Sequence, residues 1–184
     1  PAWAAAAAGG GGGAVENLLV NGGFSFFQRQ IPATVTNYLD GTYGADRWYS
    51  LNSLAGGSVG VSRQTSTYPN QLYDLQLKQV NSGSTRMGTA QIVEAENSYG
   101  ERGRSTIFQF LAKTSANADI YGAILTGGSV QAANIVVSDV VKDWTSTNFA
   151  TPGGFFLDAA SAGIVASGSA TAGSAGYTAL NMTG

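Results

Sequence analysis

The 184 residues contain no cysteine and no histidine. Thiol nucleophiles, disulfides, thiolate metal sites and an imidazole acting as base or ligand are thereby excluded, which leaves oxygen chemistry. The lack of cysteine assigns no compartment, because a fold independent of redox state can form inside a cell and work outside it. Charge is scarce as well: Asp, Glu, Lys and Arg make up 11% of the chain, against about 25% in ordinary soluble domains. Such a surface must be built from Ser, Thr, Asn, Gln and Gly. Nine basic and eleven acidic residues leave a net charge of −2 with no long block of either sign. The basic footprint of a nucleic-acid binder is therefore missing, and duplex DNA and anionic membrane are poor partners. No apolar run approaches the roughly 18 residues of a membrane-spanning helix, so no membrane insertion is expected.

Small residues are plentiful, above all in the opening stretch PAWAAAAAGGGGG. It lacks the positive start and strongly apolar middle of a secretory signal. Ala4 to Ala8 give at most one helical turn, which Gly9 to Gly13 end. Residues 1–15 are expected to be a flexible Ala/Gly-rich arm, spanning about 20 Å as a coil. Trp3 is its exception: an indole is costly to leave in water, so it is the expected attachment point on a neighbouring subunit or partner. Because the chain begins with Pro1, a processed product or a piece of a longer chain is expected.

From Glu16 the pattern turns to strands, and the length fits one further domain with one core. Gln71 to Gln79, QLYDLQLKQ, places Tyr73, Leu75 and Leu77 on one face and Asp74, Gln76 and Lys78 on the other, with Leu72 breaking the alternation. Tyr73 is thereby assigned to the core. Ser58 to Gln64 alternates likewise, with Val59 and Val61 inward. Arg104 to Lys113 groups Phe108, Phe110 and Ala112 and sends Gln109 and Lys113 to the opposite face. Asp119 to Thr126 and Asn134 to Val141 read as more fully buried strands. Turn-rich joints lie at 54–57, 81–84, 127–129 and 152–154. Many short strands without helical periodicity predict an all-β, antiparallel two-sheet β-sandwich or barrel. The last segment, SAGIVASGSATAGSAGYTALNMTG, reads as loop and weak strand without a clear apolar closing strand, leaving it open whether the module is complete at Gly184.

The spaced elements Asn17-Leu18-Leu19-Val20-Asn21-Gly22-Gly23-Phe24, Gln28-Arg29, Ala45-Asp46-Arg47-Trp48, Gln91-Ile92-Val93-Glu94, Phe108 to Lys113 and Asp143-Trp144 resemble a module of bacteriophage tail fibres, spikes and head fibres. That module is similar to the jelly-roll carbohydrate-binding modules attached to glycan-degrading enzymes. The resemblance covers Glu16 to about Phe149. It implies a jelly roll over residues 16–184 on the exterior of a virion, often a trimeric homo-oligomer, with host surface polysaccharide as ligand and other virion proteins met through the arm. Leu18 and Val20 would enter the sandwich as a first strand, with Asn21-Gly22-Gly23 turning the chain. Ser25 stands where the enzyme-attached modules often have a Glu that helps hold calcium, so calcium is not indicated and no cofactor is expected. Leu111 replaces a common Trp.

Sugar recognition needs flat apolar faces for C–H groups and polar side chains for hydroxyls. Among the tyrosines, those in loop-like contexts are the candidates: Tyr38 and Tyr43 beside the Asp40-Gly41 turn, Tyr68 before Pro69, and Tyr99 before Gly100, together with Trp144. Each also has a plain reading as an edge residue covering the core. Asp46, Arg47 and Trp48 read first as structure, with Trp48 alternating with Asp46 on a strand as a core anchor and Arg47 paired to a carboxylate. Glu94 and Glu96, about 7 Å apart if they share a strand face, have the spacing of a glycosidase pair, yet a surface salt-bridge cluster is the expected role. Asp40, Asp46, Asp119, Asp139, Asp143 and Asp158 show no EF-hand-like spacing. The expectation is binding without cleavage, with two alternatives: a structural decoration or fibre protein making only protein contacts, and a glycan depolymerase domain.

Overall fold

Strand carries nearly all the regular backbone in the computed structural model, which describes residues 17–28, 36–38, 41–53, 59–79, 86–101, 103–127, 141, 143–149, 155 and 162–184. One helical turn, Ala95–Ser98, runs into a 3-10 turn at Tyr99–Glu101, and together they are all the helix among the described residues. The protein is all-β. The arm at 1–15 with Trp3, and most of the strand expected at 134–141, lie outside the described residues. Length led to the expectation of one core; the described residues form two compact units, 17–100 and 101–184, each with its own apolar cluster.

In the first unit, β1 (Thr36–Tyr38), β3 (Val59–Thr65) and β4 (Tyr73–Gln79) form an antiparallel sheet in the order β1-β3-β4. A second antiparallel pair joins β2 (Tyr49–Asn52) to β5 (Met87–Ala90). The alternation read at 58–64 and 71–79 sits on β3 and β4, in the register Val61↔Leu77 and Arg63↔Leu75. One face thus turns Val59, Val61, Leu75 and Leu77 toward Phe27, Ala45 and Trp48, with Leu19, Phe24 and Tyr38 packed around them. The other face is polar: Gln64 Nε2 donates to Ser62 Oγ at 2.9 Å, and Ser62 Oγ donates to Gln76 Oε1 at 3.2 Å. Leu72 breaks the alternation because it precedes the strand; it follows the turn in which Asn70 takes φ 65° and is 74% exposed.

Three expectations need correction here. Tyr73 is half-buried rather than core: the Arg63 guanidinium lies 4.0 Å from its ring centroid, while Arg63 Nη1 donates to the Ser25 carbonyl at 2.6 Å. A ring at a sheet edge is worth more under a cation than in a core that its hydroxyl would have to enter. The second concerns the opening NLLVNGGF, which is a turn without strand. Asn21 takes φ 56° and Phe24 φ 51°, and Val20 is exposed while Leu19 packs on the core. Asn21 explains the geometry. Its Oδ1 accepts from Phe26 N at 3.0 Å, and its Nδ2 donates to the carbonyls of Phe26 and Asp46 at 2.9 and 3.1 Å. Asn tolerates the left-handed region because its short amide can satisfy nearby backbone in this way. Third, Asp46 and Arg47 form a turn instead of a strand: Trp48 N donates to Ala45 O at 2.9 Å and Arg47 has φ 71°, the signature of a type II turn. Trp48 is the buried anchor expected, its Nε1 donating to Asn21 O at 3.2 Å.

The second unit pairs β6 (Ile107–Ala112) with β9 (Thr178–Thr183), and β7 (Ala118–Gly127) with β8 (Ala162–Ala172). The final segment is therefore mostly strand, and β8 is the longest strand described, where loop and weak strand were expected. The run of small residues from Ala166 to Ala172 has a packing reason. Phe108 and Phe110 on β6 stand opposite Met182 and Leu180 on β9, and these bulky side chains fill the layer over Ala166, Ala170 and Ile124. Where they press hardest the ribbon has glycine: a Cβ on Gly122 would meet Met182 Cε at 2.5 Å, and one on Gly168 would meet Met182 Cγ at 2.9 Å.

Candidate functional site

The β7–β8 ribbon has two faces of different chemistry because its side chains alternate. Gly122, Ile124, Ala166, Gly168 and Ala170 serve the packed layer. The alternate rungs pair Asp119 with Thr171, Tyr121 with Ser169 and Ala123 with Ser167. Thr171 Oγ1 donates to Asp119 Oδ1 at 2.8 Å. This second face is a row of hydroxyls with one ring, and Tyr121 and Ser169 on it are exposed.

Residues 143–149 are held in place by their own polar groups. Asp143 Oδ1 accepts from Thr145 N at 2.8 Å and from Thr145 Oγ1 at 2.6 Å, and Asn148 N donates to Ser146 Oγ at 3.1 Å. Phe155 N then donates to Asn148 O at 2.7 Å. These bonds fix Phe149 flat against Tyr121, with centroids 3.5 Å apart and planes 12° apart. Phe149 in turn leans on Phe155 at 4.6 Å, and Trp144 stands edge-on to Phe155 at 5.5 Å. The result is an aromatic row anchoring the segment to the ribbon. Between them lies an open groove of about 400 Å³, lined by Tyr121, Thr147, Asn148, Phe149, Ser167 and Ser169 with the backbone of Gly168. Its volume falls within the roughly 300–1,000 Å³ of small-molecule clefts.

The residues singled out from the sequence fall elsewhere, with one exception. Tyr38 packs on the first unit's cluster. Tyr43 stands edge-on to Tyr49 at 5.7 Å. Tyr68 lies in the turn before β4, and Tyr99, 68% exposed, in the 3-10 turn. None of these four lines the groove. Trp144 belongs to the groove's aromatic row but supports it from behind. The lining residues Thr147, Asn148, Phe149, Ser167 and Ser169 were missed, and Tyr121 was counted only as one tyrosine among eight. A signal existed: Ser167, Ser169 and Thr171 alternate with Ala166, Gly168, Ala170 and Ala172, a period of two within what looks like low complexity.

Of the elements that carried the resemblance, those at 17–24, Gln28, 45–48 and 91–94 meet one another in the first unit, whereas Phe108 to Lys113 and Asp143-Trp144 lie in the second. Asn21 bonds the Asp46 carbonyl, Gln28 N donates to Asp46 Oδ2 at 2.8 Å, and Gln91 bridges both polar groups of the Val20 backbone at 2.8 and 2.7 Å. Arg47 Nη1 reaches Glu94 Oε1 at 3.2 Å, an exposed ion pair of the kind expected. Glu94 and Glu96 do not share a strand face; Glu94 stands at the N-terminal boundary of the helical turn and Glu96 lies in it, so the strand spacing of a carboxylate pair does not apply. Asp46, Asp119 and Asp143 each accept a separate hydrogen bond, and among the described residues no three Asp or Glu gather as metal ligands. Asp40, Asp139 and Asp158 lie outside the described residues. Tyr49 is the strongly perturbed titrating group described: burial, with Tyr43 adding to it, pushes its phenol up to about 12. Compared with family models, curated proteins and solved structures, the chain finds no match.

Proposed function

We propose that the chain is a carbohydrate-binding module of a phage virion appendage, exposed on the particle's exterior, that holds host surface polysaccharide without cleaving it. In this reading residues 16–184 form a two-sheet jelly roll, residues 1–15 attach it to other virion proteins through Trp3, and copies assemble as a homo-oligomer, favouring a trimer. The observation that carries the binding role is the groove on the second unit. It combines two aromatic rings, four hydroxyls (Tyr121, Thr147, Ser167 and Ser169) and one carboxamide, and all of the hydroxyls and the amide can both donate and accept, as sugar hydroxyls do. Hydrogen bonding and stacking are the chemistry of holding a glycan, whereas hydrolysis would call on paired carboxyls. The virion setting rests on the resemblance, and a shallow site suits it because repeated copies on one particle raise avidity through effective concentration.

A glycan array probed with the assembled protein tests the proposal. Retention on at least one host polysaccharide is expected, with no new reducing ends on incubation. Failure to bind any of them would favour the decoration or fibre reading. That reading has its own support in the first unit, where the exposed Val20 and Ile92 lie at the Gln91 bridge and Phe26, 62% exposed, at the Asn21 turn. New reducing ends would favour the depolymerase.

A further inference from the structure

We infer that the groove over the β7–β8 ribbon selects uncharged glycans and turns away those bearing carboxylate, sulfate or phosphate. The inference rests on the carbohydrate reading above and specifies its ligand class. Among the described residues, no side chain lining the groove carries a charge. Anionic sugars are ordinarily gripped by Arg or Lys, whose charge-assisted bonds recognise carboxylate and phosphate oxygens, and neither residue is present in the lining. Among the described residues of the ribbon, the charged group on the same face is negative. Asp119 occupies the rung next to Tyr121, about 7 Å along the strand, and its carboxylate is exposed and held by Thr171. A second carboxylate, Asp143, anchors the segment that supplies Thr147, Asn148 and Phe149. An anionic ligand would lose water on entering, gain no cation from the described lining and approach the Asp119 carboxylate.

The groove's polar groups fit the opposite case. Ser167 and Ser169 stand two residues apart on one face, and Thr147 and Asn148 line the same cavity, so hydroxyl partners surround the stacked pair of Phe149 and Tyr121, of which Tyr121 is 39% exposed. Neutral pyranoses offer hydroxyls at their edges and C–H groups on their faces. Because Asp119 is exposed, the repulsive part of the selectivity is subject to screening by salt.

The test uses the full chain on immobilised neutral polysaccharides (glucan, galactan, mannan, rhamnan) beside polygalacturonan, polysialic acid and a phosphorylated mannan. The expected result is retention on at least one neutral polymer and at least tenfold weaker retention on every acidic one at low salt. The gap should narrow with added salt and in Asp119→Asn. Tyr121→Ala should lower the neutral affinity at least tenfold. Ser169→Lys, at an exposed strand position that tolerates a long side chain, should raise retention on the acidic polymers, so the inference stays testable if Tyr121→Ala fails to fold. Tight binding to an acidic polymer that Tyr121→Ala abolishes would overturn the charge selectivity and leave the carbohydrate reading standing. Neutral binding unaltered in both Tyr121→Ala and Ser169→Lys would overturn the groove as the site. Retention on none of the polymers would overturn the carbohydrate reading itself.

Discussion

Replacing Gly168 by Ala adds one methyl group against the packed layer of the second unit. The new Cβ would lie 2.9 Å from Met182 Cγ and 3.6 Å from both Met182 Sδ and Leu180 Cδ1. Met182 is 3% exposed and Leu180 6%, so neither side chain can swing into solvent to make room. Gly168 has no left-handed φ, which leaves contact as the source of the cost. Overpacking of this kind costs about 1–3 kcal/mol, and alanine's smaller unfolded-state entropy returns about 0.4–1 kcal/mol. A net loss of about 1–2 kcal/mol is expected, read as a fall in the urea midpoint without a change in slope. Gly122 is the informative comparison. Its Cβ would meet Met182 at the terminal methyl, which a rotamer change can move, although Phe110 Cε1 stands at 3.0 Å. Gly122→Ala should therefore cost less than Gly168→Ala. Met182→Ala alone should cost about 2–5 kcal/mol, and less in a Gly168→Ala background, because the added methyl then occupies part of the space. If Gly168→Ala unfolds at the same urea concentration as the unmodified chain, or if the two substitutions are simply additive, the packing account of the ribbon's glycines is wrong.

Asn21 combines a left-handed backbone with three side-chain hydrogen bonds. Asn21→Gly, which keeps the backbone freedom but loses the bonds, should cost about 2 kcal/mol; Asn21→Ala should cost about 1 kcal/mol more by the left-handed penalty, and equal losses in thermal or urea unfolding would contradict the division. Tyr49, with its phenol raised to about 12, favours folding fully below its unfolded value near 10 and loses that contribution as pH climbs from 10 through 12. Absorbance titration at alkaline pH should show one late tyrosine that is missing in Tyr49→Phe, and an ordinary midpoint for every tyrosine would refute the burial argument. Tyr43→Ala, in the first unit, should leave glycan binding unchanged, whereas Trp144→Ala should weaken it by loosening Phe155 and Phe149, a difference that titration against the bound polysaccharide resolves.

Strands β3 and β4 were legible because Val59, Val61, Leu75 and Leu77 are large, and a period of two is visible whenever large apolar residues alternate with polar ones. Strand β8 was not, since over 166–172 the same period is written in small residues, and β9 was not because its two large residues, Leu180 and Met182, make too short a run to stand out from the Ala/Gly/Ser-rich segment before them. Ala166, Gly168 and Ala170 are small because Phe108, Phe110 and Met182 from the facing pair occupy the space, a requirement set by residues far away in sequence. The opening NLLVNGGF was legible as a turn but misread as a strand, because Asn21 finds its partners at Phe26 and, 25 residues on, at Asp46. The candidate groove was hidden for a related reason. The choice among eight tyrosines favoured loop positions, whereas Tyr121 acquires its setting only when β8 brings Ser167 and Ser169 beside it and Phe149 is tied back by Asp143 and Phe155.

The strict division of β8 between its two faces bears on how such a surface can change over generations. Odd-numbered positions 167, 169 and 171 meet solvent or a ligand, while 166, 168 and 170 meet the packed layer. A substitution at an odd position alters the polar groups on offer without disturbing the packing, and one at an even position is screened by stability before recognition enters. Variation accepted by a population should therefore accumulate on alternate residues of this strand, giving new specificities on an unaltered scaffold. A library randomised at 167, 169 and 171 should remain largely folded, where one randomised at 166, 168 and 170 should not.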